Sequence, residues 1–118
     1  MNVNVRGDEV KENYDDSAKI IKALSDPSRL KIIDLLSCGK KCACDILEHF
    51  EFTQPTLSHH MKVLVDNGIV KCRKDKLWSY YSLNNKNCNK LILFLMNLVT
   101  DKDECICNDK TKDECECK

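Results

Sequence analysis

The chain has 118 residues, which favours one domain with a modest core that a dimer would help to stabilise. Its 19 basic and 19 acidic side chains leave no net charge, which alone argues against a nucleic-acid partner. The apolar cluster Leu91–Val99 is too short to span a bilayer and the N-terminus has no apolar run, so a soluble, cytoplasmic protein with no membrane partner is expected.

The distribution of charge favours a nucleic-acid partner more than the total does. Residues 1–16 carry two basic and five acidic groups, and residues 101–118 carry four and seven. The segment between them therefore holds thirteen basic and seven acidic groups. A basic middle between acidic ends is compatible with DNA contact by the middle alone.

Nine cysteines in a chain without an export signal are expected to be reduced thiols rather than disulfides. Cys72 and Cys88 stand alone among apolar residues and are interpreted as small buried side chains. Close pairing of six of the other seven indicates ligation of a soft ion. Six cysteines form three Cys-x-Cys pairs: 42/44, 105/107 and 115/117.

Two helices are predicted in the first third of the chain. Residues 1–7 lack periodicity and are expected to be disordered, and residues 8–24 have apolar side chains at helical spacing. Residues 27–37 form the second helix, in which Asp26 caps the N-terminus. Gly39 ends this helix. The second helix is expected to bury Leu30, Ile33 and Leu36, or the neighbouring face.

A helix-turn-helix is predicted next. Residues 42–50 form a short third helix, and residues 54–67 a fourth that follows a tight connection and ends at Gly68. In the fourth helix Leu57, Met61 and Leu64 recur at steps of four and three, so they form one buried stripe.

Residues 69–73 and 77–83 are predicted to be two strands around a turn at residues 74–76. Residues 84–89 are a polar connection, and residues 90–100 form a last helix that is apolar on nearly all sides. Burial against its own domain and a second copy of the chain explains such a helix. The expected fold is mainly α with a β-hairpin wing, a winged helix-turn-helix that forms a homodimer through its first and last helices.

The tail repeats Asp-Glu-Cys-x-Cys ten residues apart. It is otherwise charged, and without a ligand it should have no fixed fold. The predicted division is therefore a DNA-binding and dimerisation domain over residues 1–100 and a flexible cysteine-rich tail over residues 101–118.

Four motifs in this order resemble those of the ArsR/SmtB family of metal- and metalloid-sensing repressors. The resemblance covers roughly residues 17–84. It implies a homodimer that binds operator DNA without any cofactor and releases the DNA when it binds a toxic ion. The motifs are ALSDPSRL at 23–30, QPTLSHHMKVL at 54–64, NGIV at 67–70 and YYSL at 80–83.

Residues 42–46, CACDI, resemble the motif of the arsenic-responsive members, which implies that Cys42 and Cys44 bind trivalent arsenic, inorganic or organic. Many of those members have a third cysteine where this chain has Leu47. Further candidate ligands are Cys38 and the tail residues Cys105, Cys107, Cys115 and Cys117, and a non-protein ligand is the other alternative. The chain lacks the Asp, His and Glu set with which other members bind zinc on the last helix.

On a regular helix, residues two apart point about 200° away from each other. Cys42 and Cys44 can therefore share an ion only if Cys42 lies outside the third helix and Cys44 lies in its first turn. The helix start and the adjacent Lys40 and Lys41 are expected to favour thiolates there.

The start of the fourth helix is expected to enter the major groove, and the wing tip to contact phosphates or the minor groove. His60 lies beside the buried stripe and is expected to bond internally. The predicted DNA contacts are Gln54, Thr56, Ser58, His59 and Lys62 on the helix and Arg73, Lys74 and Lys76 on the wing.

Other functions remain as alternatives. The repressor could sense cadmium, lead or thiol oxidation in place of arsenic, or the cysteines could store metal. A thiol-based enzyme is disfavoured because the chain has no Cys-x-x-Cys, no phosphate-binding loop and no βαβ pattern.

Overall fold

A computed structural model describes residues 3–100, with side chains from Tyr14 onward. The predicted roles of the tail, including those of Cys105, Cys107, Cys115 and Cys117, lie outside the described residues. Within them, five helices and three strands occur in the order of a winged helix-turn-helix. The elements are α1 Val3–Leu24, α2 Pro27–Leu36, β1 Lys41–Cys42, α3 Ala43–Leu47, α4 Gln54–Asp66, β2 Val70–Asp75, β3 Trp78–Leu83 and α5 Asn85–Val99. No helix among these is long and apolar enough to cross a membrane.

The first helix is longer than predicted, since α1 begins at Val3 rather than Asp8. The second helix, α2, is capped as predicted: the Asp26 carboxylate accepts a hydrogen bond from the backbone N–H of Arg29 at 3.1 Å. It buries Ile32 and Leu36, whereas Leu30 is 54% exposed. Of the two faces that were predicted, the one through Leu30 is therefore wrong, and the alternative, the neighbouring face, is confirmed.

The core forms around α4, whose Leu57, Met61 and Leu64 are buried as predicted. Ile46 of α3 and Leu91 of α5 join the same cluster. Each fully buried side chain of this size stabilises the fold by about 1.5–3 kcal/mol relative to an exposed one. Because α4 buries this one stripe, its opposite, polar face is left to solvent.

The sheet has three antiparallel strands in the order β1-β3-β2. Strands β2 and β3 pair from Val70 with Leu83 to Asp75 with Trp78. The connecting turn is therefore the pair Lys76 and Leu77, not residues 74–76 as predicted. Strand β1 was not predicted at all, because two residues are too few to have a periodicity.

The last helix, α5, begins at Asn85, so the prediction of a polar connection over residues 84–89 was wrong. The Asn84 side chain accepts a hydrogen bond from the backbone N–H of Asn87 at 3.1 Å and caps the helix. The first turn is polar because Asn85 and Lys86 face solvent. Farther along, the Phe94 ring lies edge-on to the Tyr14 ring of α1, with centroids 6.3 Å apart.

Candidate metal centre and nucleic-acid interface

Cys42 and Cys44 lie at the junction between the sheet and the helix-turn-helix. Cys42 ends β1 and occupies the N-cap position of α3 with an extended backbone (φ −83°, ψ 164°), and Cys44 lies in the first turn of that helix. Their Sγ atoms are 2.7 Å apart. This is the backbone arrangement predicted to let two cysteines in a Cys-x-Cys pair share an ion.

The backbone of Cys42 also belongs to the wing. Cys42 pairs with Tyr80 of β3, and Lys41 pairs with Tyr81. A displacement of Cys42 would therefore act on β3 as well as on α3.

The two thiols differ in exposure, and a carboxylate lies beside them. Cys42 is 8% exposed and Cys44 is exposed. One oxygen of Asp45 and the two Sγ atoms all lie within 4.8 Å of one another. Asp45 was not predicted as a ligand, although its place directly after Cys44 was the available signal. A pair of thiols suits a soft ion, whereas the carboxylate suits a harder one.

The expectation that these thiols ionise more readily is wrong for Cys44. Its hydrogen bond with Cys42 raises the pKa of the Cys44 thiol, and desolvation and the neighbouring charges of Cys42 and Asp45 raise it further. Helix α3 is also only five residues long, so its dipole is small, and the Lys40 ammonium lies over the Tyr80 ring at 5.2 Å.

Among the described residues, Cys38 is not part of this group. It is exposed in the turn after α2, where its backbone N–H donates to the carbonyl of Leu35. The group within 4.8 Å consists of Cys42, Cys44 and Asp45 alone in the part of the chain that the structure describes.

The two isolated cysteines behave differently. Cys88 is half-buried against the core, and burial raises the pKa of its thiol, as a small apolar side chain would suggest. Cys72 is exposed, so its predicted burial was wrong. Cys72 lies opposite Tyr81 in the β2–β3 pair. The pKa of the Tyr81 hydroxyl is raised first by its own burial and then by the neighbouring Cys72.

The predicted DNA-contacting residues of α4 all lie on its solvent side. They are Gln54, Thr56, Ser58, His59 and Lys62. The ammonium of Lys62 is 3.2 Å from the Asp66 carboxylate in an exposed i,i+4 pair. Such a pair contributes about 0.3–0.5 kcal/mol, so it can open when a phosphate approaches.

The predicted contacts of the wing, Arg73, Lys74 and Lys76, are also exposed. Lys76 occupies the turn with a positive φ of 59°. Its neighbour Leu77 is 94% exposed, a feature that the sequence prediction did not include.

His60 bonds internally, as predicted. Its ring is largely buried, and Nδ1 lies 2.9 Å from Nη1 of Arg29. Arginine can only donate, so Nδ1 accepts this bond and the proton of the neutral ring is on Nε2. Arg29 also donates from Nε to the carbonyl of Ala23 at 2.7 Å, which connects the end of α1 with α2 and α4.

The chain is similar to several proteins of known class. Residues 26–71 match the family described as bacterial regulatory protein, arsR family. The arsenical resistance operon repressor of Staphylococcus aureus is 50% identical over 103 residues, 87% of this chain and 99% of that protein. The cadmium resistance transcriptional regulatory protein CadC homolog of Staphylococcus aureus is 42% identical over 86 residues, 72% of this chain and 71% of that protein.

A solved structure has the same architecture. It is the homodimeric winged helix-turn-helix DNA-binding domain of a possible ArsR-family transcriptional regulator from Mycobacterium bovis, determined by solution NMR. The TM-score is 0.62 at 27% identity, over 75% of this chain and 81% of that chain.

Proposed function

This chain belongs to the ArsR family of bacterial regulatory proteins, and we propose that it represses transcription as a homodimer on operator DNA and releases the DNA when trivalent arsenic binds Cys42 and Cys44. The members of its family and its relatives are transcriptional regulators and not enzymes. The observation that carries the proposal is the approach of two thiols at the first turn of the helix-turn-helix, with one of them paired to the wing.

The exposed polar face of α4 supports major-groove contact. Short side chains such as Thr56 and Ser58 can reach base edges or phosphates, and Gln54 suits adenine. The basic side chains of the wing would neutralise phosphates, which supplies affinity but not sequence preference. Two copies would read half-sites about one helical turn, roughly 34 Å, apart.

Arsenic is favoured as the inducer because two soft thiols lie together and because a relative at 50% identity is named for arsenical resistance. Each thiol gives up its proton as an As–S bond replaces an As–O bond, and water leaves. A third ligand from the tail, from Cys38 or from outside the protein completes a site for inorganic arsenite.

Cadmium is the second candidate inducer. The Asp45 carboxylate beside the two thiols provides a mixed donor set for a divalent ion. A relative named for cadmium resistance, at 42% identity, supports the same alternative.

The ion would act on DNA binding through two routes. Cys44 belongs to α3, which packs on α4, and Cys42 belongs to the strand that pairs with the wing. Release requires only that the ion binds more tightly to the shape that grips DNA poorly. A coupling of about 1–3 kcal/mol lowers DNA affinity 5- to 150-fold.

The test measures release of fluorescent DNA from the region upstream of the chain's own coding sequence. Arsenite should release the natural protein, and Cys42→Ser with Cys44→Ser should bind the DNA equally well but resist release. Cys72→Ser is the matched control, since it removes an exposed thiol outside the group. Serine at all four tail cysteines decides whether the tail supplies a ligand.

The proposal is contradicted if arsenite releases the doubly substituted protein at the same concentration at which it releases the natural protein. Stronger release by cadmium than by arsenite, lost on Asp45→Asn, would select the second candidate.

A further inference from the structure

A cleft of about 220 Å³ lies beside the Cys44 thiol, between α3, the start of α4 and the wing. Its lining is mostly apolar, with Gln54 and Ser79 as polar members. The other lining residues are Ala43, Cys44, Leu47, Leu57, Leu77 and Trp78.

Two large apolar side chains of this lining are left in contact with solvent. Leu77 is 94% exposed and Trp78 is 53% exposed. Covering a side chain of this size contributes about 1.5–3 kcal/mol when burial is complete. A ligand with an apolar group would gain part of this free energy by lying in the cleft.

The size of the cleft fits one small ring. An apolar cavity of about 150 Å³ holds benzene. The cleft beside Cys44 is larger than that, and Trp78 offers an aromatic face for stacking.

The chemistry of the thiol pair fits a monosubstituted ligand. Trivalent arsenic that carries one carbon substituent has two exchangeable positions. Cys44 lines the cleft, and its Sγ atom lies 2.7 Å from that of the buried Cys42. No third thiol joins the group in the described part of the chain. Such a ligand needs no third cysteine.

We propose that the cleft discriminates among monosubstituted trivalent arsenicals bound to Cys42 and Cys44, because it holds their organic group, best an aryl ring, against Leu77 and Trp78. Two As–O bonds break and two As–S bonds form. The two thiol protons leave in two water molecules, the As–C bond stays intact, and no oxidation state changes. The inference rests on the proposed function and specifies its inducer.

The test compares phenyl- and methyl-substituted arsenous acids, which both offer two exchangeable positions and differ in the group that the cleft would hold. With the full-length protein on fluorescent DNA, the phenyl compound should release DNA at a concentration at least five-fold lower than the methyl compound. Trp78 is the only tryptophan, so its fluorescence should change more with the phenyl compound.

A change in DNA affinity affects the releasing concentrations of both compounds equally and cancels in their ratio. A change in this ratio therefore reports on the cleft. Leu77→Ser and Trp78→Ala should each bring the ratio toward one, and Trp78→Phe should keep most of it. Leu77 is so exposed that its replacement should not disturb folding. Lys71→Ala, at an exposed position of β2 outside the lining, should leave the ratio unchanged.

The inference is overturned if both compounds release DNA at the same concentration, or if Leu77→Ser and Trp78→Ala leave the ratio unchanged. The proposed function still stands in that case, provided that arsenite releases the natural protein. If no trivalent arsenical releases the DNA, or if release persists without Cys42 and Cys44, the proposed function itself fails.

Discussion

At the scale of single residues, His60 connects α4 with the start of α2. Burial lowers its pKa, the Arg29 guanidinium and His59 lower it as well, and only Asp26, 3.9 Å away, raises it. The bond from Arg29 requires an unprotonated Nδ1. The folded protein therefore holds His60 neutral below the pH at which a free histidine gains its proton.

This shift predicts a loss of stability in acid. Above the unfolded pKa of about 6.5, His60 is neutral in both states and its contribution is complete. As pH falls below that value, the unfolded chain binds the proton first, so the free energy of unfolding decreases until pH has passed the lower folded pKa. Urea denaturation at pH 7.5 and pH 5 should show a smaller loss for His60→Gln than for the natural protein. His49→Gln, at an exposed position, is the control, and equal losses in all three proteins would contradict the assignment.

At the scale of elements, the connection from α2 to β1 depends on Gly39, whose φ is +130°. A Cβ at Gly39 would meet nothing within 4 Å, so its cost is confined to the backbone. Gly68 is different, because at φ +78° a Cβ would lie 3.0 Å from the Asn87 amide nitrogen that donates to the Gly68 carbonyl.

Gly39→Ala is therefore expected to lower the free energy of unfolding by about 1–3 kcal/mol, and Gly68→Ala by more. The neighbouring substitution Cys38→Ala, at an exposed position, should stay within about 0.5 kcal/mol. Chemical denaturation of the three variants measures this order. A Gly39→Ala protein as stable as the Cys38→Ala protein would show that the turn relaxes without strain.

The elements that local patterns define could be predicted from the sequence. The Asp26 cap and the stripe of Leu57, Met61 and Leu64 depend on residues within one or two helical turns of one another. The backbone at Cys42 could be predicted because a shared ion requires it.

The missed features depend on partners distant in sequence. Strand β1 exists because Tyr80 and Tyr81 pair with it, and two residues have no period. The pKa of the Cys44 thiol rises first because of its hydrogen bond with Cys42, a contact that spacing alone does not specify. The exposed Cys72 depends on which face of the wing is covered.

At the scale of the whole molecule, α5 leaves many apolar side chains exposed. Six of them are exposed, as are Tyr14 and Ile21 of α1, and the Tyr14 ring contacts Phe94 of α5. Exposed apolar surface of this extent marks an interface. The exposed residues of α5 are Ile92, Leu93, Leu95, Met96, Leu98 and Val99. They support the proposed homodimer through the first and last helices.

Met96→Glu would place a charge on this surface, where Met96 is 55% exposed. Dimerisation would then bury an unpaired charge, so the variant should be monomeric in sedimentation at micromolar concentration. Its affinity for a two-half-site DNA should fall at least ten-fold, because the second half-site is lost. Lys86→Glu, exposed in the polar first turn of the same helix, should remain dimeric. The prediction is contradicted if the natural protein itself sediments as a monomer at this concentration.

The two-residue strand β1 has a consequence for the order of events in the cell. Cys42 and the wing share hydrogen-bonded backbone, so under the proposed function a DNA-bound wing would hold the thiol in the shape that accepts arsenic less well. Linkage is reciprocal, so the operator must weaken inducer binding by the same factor by which the inducer weakens operator binding. Dimers that are not bound to DNA would then take up the first inducer molecules. Transcription of the repressed genes would begin only after these free dimers are saturated.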